Sequence, residues 1–204
     1  MKITLVLHNI RSTYNVGAIL RTAEGFGVEK VILSGYTPWY EKPGLLPHLA
    51  EKLEHQITKT AVGADKMVET EWIDDLPAWL DFQIENNNLS PKTKVQQPSQ
   101  PSQSPQTSHS SRPTLAGLEN NLEDPRLQNL ATFAENRETA RLRLADHGIE
   151  REESLILVLG EEVHGIPPEI LEKLDVLLEI PMKGQKESFN VSVAAGIALY
   201  ELTK

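Results

Sequence analysis

Three short stretches of this 204-residue chain hold the residue types that chemistry on a bound ligand needs. The first follows the apolar run at 3–7 and offers Asn9, Arg11, Asn15 and, six residues further on, Arg21. The second follows the run at 155–159 and reads Gly160-Glu161-Glu162-Val163-His164-Gly165. The third follows the run at 176–180 and reads Pro181-Met182-Lys183-Gly184-Gln185-Lys186-Glu187-Ser188-Phe189-Asn190. Each is a loop of small and polar residues at the end of a buried strand, and such loops line pockets. In the third, a glycine and the lack of any large side chain just after Met182 leave backbone N–H and C=O groups open to a ligand. Asn190 offers both a donor and an acceptor, and Glu162 a carboxylate for charge-assisted hydrogen bonds. Ser188 has a second reading, as the cap of a helix over 189–202. No His/Asp ligand cluster is present, so no metal is expected, and His164 alone reads as a turn residue.

The elements that must hold these loops follow from periodicity. Residues 3–7 form a buried strand, 16–26 a helix closed by Gly25 and Gly27, and 30–33 the next strand. Further strands are predicted at 67–72, 114–118, 155–159 and 176–180, alternating with helical stretches that include 75–85 and 189–202. Such alternation predicts an α/β fold with a mostly parallel sheet flanked by helices. Residues 86–113 break the pattern with repeated Pro, Ser and Gln, and predict a disordered low-complexity insertion within one domain spanning 1–204. A second connection, 124–150, places Leu127, Leu130, Phe133 and Leu142 amid charge and predicts one or two amphipathic helices.

Composition narrows the class. A hydrophobic content of 39% supports one ordinary core, and the absence of cysteine excludes disulfides and thiolate metal sites, as suits a reducing cytoplasm. Met1-Lys2 enters a strand directly, so no signal peptide is read, and the apolar stretch at 191–200 is too short to span a bilayer. A net charge of −9 argues against a generic nucleic-acid binder. The distribution answers that objection, because residues 1–40 carry four basic against two acidic side chains and 91–114 carry three basic and no acidic ones. Phosphate contacts need local rather than net positive charge.

Asn15-x-Gly17-x-x-x-Arg21, Gly160-x-Glu162-x-x-Gly165 and Ile180-Pro-Met-x-Gly-x-x-x-Ser188-x-Asn190-Val occur in this order. Together with Lys59-Thr-Ala-Val-Gly63-Ala and the strand ending at Glu119, this pattern resembles the SpoU (TrmH) family of RNA ribose 2′-O-methyltransferases, in the SPOUT superfamily. Phe189 stands where the family often has Leu, and no separate N-terminal RNA-binding domain of the kind larger members carry is read, so substrate choice is expected from the core, its dimer partner or the insertions.

The resemblance implies S-adenosyl-L-methionine as cofactor, held by Leu159, Gly160, Ile180, Met182, Ser188 and Asn190, and a C-terminal trefoil knot. It implies Arg21, Asn15, Glu162, Ser188 and Asn190 as catalytic residues. RNA contacts are expected from Asn9, Arg11, Arg21, Lys183 and Lys186, with tRNA or rRNA as substrate. It also implies a cytoplasmic homodimer joined through the first and last helices. A guanidinium is a poor base at neutral pH, so the physically easier role for Arg21 is to clamp a substrate phosphate and stabilise the developing alkoxide.

Two other readings compete with ribose methylation: a catalytically silent RNA-binding protein on the same scaffold, and a base-directed RNA methyltransferase. A dinucleotide-binding Rossmann enzyme, suggested by Gly25-Phe26-Gly27, fails on context. The third glycine is replaced by Lys30, and the pair closes a helix instead of opening one.

Overall fold

The computed structural model describes residues 1–86, 113–119, 140–143, 149 and 154–204. The order of elements is β1 (Lys2–His8), α1 (Thr13–Gly25), β2 (Lys30–Ser34), α2 (Pro47–Ala61), β3 (Glu69–Ile73), α3 (Leu76–Asn86), β4 (Thr114–Leu118), β5 (Ala140–Arg143), β6 (Ser154–Leu159), α4 (Pro168–Leu171), β7 (Val176–Glu179) and α5 (Val191–Thr203). The strands form one seven-stranded sheet in the order β3-β2-β1-β6-β4-β7-β5. Every pairing is parallel, as buried, nearly continuous apolar strands such as Leu155-Ile156-Leu157-Val158-Leu159 favour.

Side chains alternate between the two faces of the sheet. Ile3, Leu5, Leu7, Leu155, Leu157 and Leu159 join the core under α1, α2 and α5. Val6, Ile156 and Val158 point the other way, into a second core with Leu76 and Leu80 of α3 and Ile170 and Leu171 of α4. That period of two sets both layers at once.

The glycine of the first motif is explained by packing. A Cβ on Gly17 would lie 2.1 Å from Thr60 Oγ1 and 2.3 Å from the Ile57 carbonyl oxygen, so α1 approaches α2 as closely as it does only with glycine there.

The predicted strands at 3–7, 30–33, 67–72, 114–118, 155–159 and 176–180 all correspond to strands, with ends shifted by one or two residues. The helix expected over 75–85 is α3, and that over 189–202 is α5. The connection 124–150 differs: its residues 140–143 form β5, paired with β7, where helix was expected. A four-residue strand is too short for periodicity to reveal, and pairing along the edge of the sheet decides it. Of the predicted insertion 86–113, residues 87–112 lie outside the described residues, as do 124–139 of the second connection. Among the described residues, no helix is long and apolar enough to cross a membrane.

Candidate active site

The strand order explains why distant motifs meet. Strand β6 lies between β1 and β4, with β7 beyond β4, so the loops leaving the carboxyl ends of β1, β6, β4 and β7 are neighbours. In open parallel sheets, ligands bind outside the carboxyl ends of the strands where the chain reverses its direction of progress. Here that point is β1, from which β2 and β3 extend one way and β6 the other.

A chain of hydrogen bonds ties the three motifs together. Asn190 Nδ2 donates to Asn15 Oδ1 over 3.3 Å, and Asn15 Nδ2 donates to Glu162 Oε1 over 3.0 Å. Asn190 is also the N-cap of α5, its Oδ1 accepting from Ser192 N at 2.9 Å and from Ser192 Oγ at 2.6 Å. Ser188 therefore does not cap this helix and is left exposed at the cleft. Asn15 itself is placed by the cap of α1, where Ser12 Oγ accepts from Asn15 N at 3.3 Å.

The cleft beside this chain has a volume of about 190 Å³. Leu159, Gly160, Glu119, Glu162, Glu187, Ser188 and Phe189 are among the residues that line it. The Gly160–Gly165 turn is closed by backbone bonds between Glu161 and Gly165, of 3.2 and 3.0 Å. Gly165 has φ +70, and a Cβ there would strike the Glu119 carboxylate, which accepts from the Ile166 N–H. Both glycines of this motif thus serve a tight turn packed on Glu119.

Glu161 forms a second centre. Its carboxylate, 10% exposed, accepts from Arg11 Nη2 at 3.1 Å and contacts the Tyr36 hydroxyl and His164 Nδ1. The Tyr36 hydroxyl is the main cause holding Glu161 below the usual carboxylate range, against partial desolvation. Contact with Tyr36 is likewise the first cause that raises Arg11. Nearby, burial lowers His8, whose Nδ1 lies 2.8 Å from Ser34 Oγ, while the charges of Glu169 and Glu161 oppose the shift.

Leu159, Gly160, Glu162 and Ser188 of the sequence-predicted set line the cleft, and Asn15 and Asn190 join it through Glu162. Ile180 is buried in the core below, and Met182, Lys183 and Lys186 lie on the loop but do not line the cleft. Asn9 has φ 61 and spends its Oδ1 on Tyr36 N at 3.1 Å, a turn-forming role. Arg21 is exposed and does not line the cleft, standing six residues along α1 from Asn15, or about 9 Å along the axis. Glu119, Glu161 and Tyr36 were not among the predicted site residues. Glu161 carried a signal in its place between Gly160 and Glu162, and Glu119 one in its place at the end of a strand, whereas Tyr36 carried none.

Comparisons with known proteins show the family and the fold. The family model described as the SpoU rRNA Methylase family matches residues 2–100 and 102–200. A tRNA (guanosine(18)-2′-O)-methyltransferase of Aquifex aeolicus (strain VF5) is 54% identical over 46 residues, which cover 22% of this chain and 22% of that protein. A TrmH-family protein of Staphylococcus aureus (strain COL) is 25% identical over 198 residues, covering 97% of this chain and 57% of its own length. The chain thus spans little more than half the length of that curated relative.

Among solved structures, the SpoU methyltransferase AviRb of Streptomyces viridochromogenes in complex with AdoMet superposes with a TM-score of 0.65 at 15% identity, covering 99% of this chain and 57% of that one. The A. aeolicus TrmH/SpoU tRNA modifying enzyme gives 0.61 at 21% identity, covering 99% and 74%. At such identities these structures speak for the fold alone. The family match extends over nearly the whole chain and takes in all three motifs, and on that basis the chain belongs to the SpoU rRNA methylase family.

Proposed function

We propose that this protein transfers a methyl group from S-adenosylmethionine to a ribose 2′-hydroxyl of tRNA or rRNA, in the cytoplasm and as a homodimer. The observation that carries the reading is the hydrogen-bonded chain Asn190–Asn15–Glu162 at the edge of a carboxylate-lined cleft. The lining fits the cofactor. Glu119, Glu162 and Glu187 suit a sulfonium cation, and residues 160 and 187–189 line the cleft where backbone groups can meet an adenine edge.

S-adenosylmethionine supplies an electrophilic methyl group when bound. The chain's own contribution is positioning, since near-attack geometry alone is worth about 10⁵ M or more in effective concentration. Glu162, Asn15 and Asn190 hold the loops of β6, α1 and α5 in register, and Arg21 clamps a substrate phosphate and stabilises the developing alkoxide. Lys183 and Lys186 on the third loop and Arg11 on the first supply the remaining positive charge toward RNA.

The dimer reading rests on a partly exposed face. On α5, Val193 and Tyr200 are 49% and 60% exposed and share a stripe with Gly196 and Ile197. On the adjoining α1, Tyr14, Ala18, Arg21 and Gly25 share another. A two-fold contact through both stripes buries them and carries Arg21 to the cleft of the second copy. The trefoil knot belongs to the same reading: α5 packs on α1 across the ends of β4 and β6, although β7, which precedes it, lies beyond them.

The test is radiolabelled transfer to fractionated tRNA and rRNA, with nuclease mapping of the methyl group. A label on the ribose is expected. A label on a base would replace this reading with base methylation, and cofactor binding without transfer to any RNA would leave a silent scaffold.

A further inference from the structure

The rim of the cleft on the β2 side carries an exposed aromatic ring that neither the core nor the polar chain explains. Tyr36 is 47% exposed, yet it is fixed at both ends. Its N–H donates to Asn9 Oδ1 at 3.1 Å, from a residue itself held at φ 61, and its hydroxyl donates to Glu161 on the cleft wall. The Arg11 guanidinium sits 5.8 Å from the ring centroid and is anchored to the same carboxylate at 3.1 Å. Partial desolvation raises Tyr36 above its ordinary value. The Glu161 charge, which would otherwise repel a phosphate, is met by Arg11.

A ring whose backbone and hydroxyl are both immobilised has little left to lose in entropy when something lies on its face. RNA bases that leave their stack are received on aromatic rings and arginine planes, at about 1–3 kcal/mol per base. We propose that Tyr36, with Arg11 beside it, is a stacking platform for an unstacked base of the RNA at the mouth of the cleft. This rests on the RNA-substrate reading above and adds to it the recognition of a single-stranded or splayed-out nucleotide.

The experiment measures fluorescence anisotropy with a short fluorescein-labelled single-stranded RNA of mixed sequence, and with a blunt RNA duplex of the same length. Cofactor affinity is measured in parallel by calorimetry. Tyr36→Ala is expected to raise the Kd for the single strand about tenfold, the equivalent of about 1.4 kcal/mol, with cofactor affinity and duplex binding unchanged. Tyr36→Phe and Tyr36→Trp keep the ring and are expected to stay within about twofold of wild type. Tyr36→Ala binding the single strand like wild type would overturn the platform. So would Tyr36→Phe losing as much as Tyr36→Ala, because the hydroxyl would then be only a staple to Glu161. Loss of binding in Tyr36→Ala alongside no methyl transfer by the wild type would uphold the platform and refute the enzyme. Full transfer by the wild type with unaltered binding by Tyr36→Ala would do the reverse.

Discussion

Single side chains separate the candidate roles most sharply. Arg21 makes no hydrogen bond among the described residues, so its removal is expected to spare folding and cofactor affinity. Arg21→Ala should lower methyl transfer by about 10² to 10³, the usual cost of losing a positioned charge at a developing oxyanion. Arg21→Lys should restore little, because an ammonium lacks the two-pronged fork. Near wild-type turnover in Arg21→Ala would return the residue to a surface role. Asn190 needs a finer instrument, since it caps α5 as well as bonding Asn15. Asn190→Ala should cost about 1 kcal/mol of stability, whereas Asn190→Ser, a good cap whose shorter side chain does not reach Asn15, should not. If Asn190→Ser nevertheless weakens S-adenosylmethionine binding in calorimetry, the link to Asn15 matters to the site. Unchanged affinity would leave Asn190 as a cap alone.

At the scale of elements, α1 presents Ser12 and Asn15 to the cleft only because Gly17 lets it seat on α2. Gly17→Ala gains up to about 1 kcal/mol in helix propensity, but the new methyl meets a backbone carbonyl that has no flexible end to move. Overpacking of this kind costs about 1–3 kcal/mol, so the clash wins and the urea midpoint should fall. A rise in the midpoint would show that the two helices slide apart without penalty. The site elements were readable in advance, because β1, β6 and β7 are apolar runs that end abruptly in glycine or polar loops. Two features were not. The cap of α5 shifted from Ser188 to Asn190, since both residue types cap well and only the packed position of the first turn chooses. Strand β5 exists through its partner β7, and no local pattern in four residues announces it.

At the scale of the whole molecule, the exposed stripes on α1 and α5 predict a second copy. Tyr200→Asp places a charge in the middle of the proposed contact, next to Phe26, whose ring lies 6.5 Å away. Wild type should sediment as a dimer at micromolar concentration and Tyr200→Asp as a monomer with the same circular dichroism and much reduced methyl transfer. A wild-type monomer with full activity would refute the shared site.

The sequence alone determined the three loops, the strands that precede them and the sheet's parallel character, because these rest on local periodicity and on residue types a few positions apart. Tertiary structure decided which of these residues meet. Asn15 lies 147 positions from Glu162 and 175 from Asn190, and they bond because β6 inserts beside β1 and α5 returns across the sheet to α1. It also decided that neighbouring carboxylates divide their work, Glu162 facing Asn15 while Glu161 gathers Arg11, Tyr36 and His164. Strand order and the direction of a side chain in a closed turn are set by packing energy summed over the whole chain, and no window of sequence contains that sum.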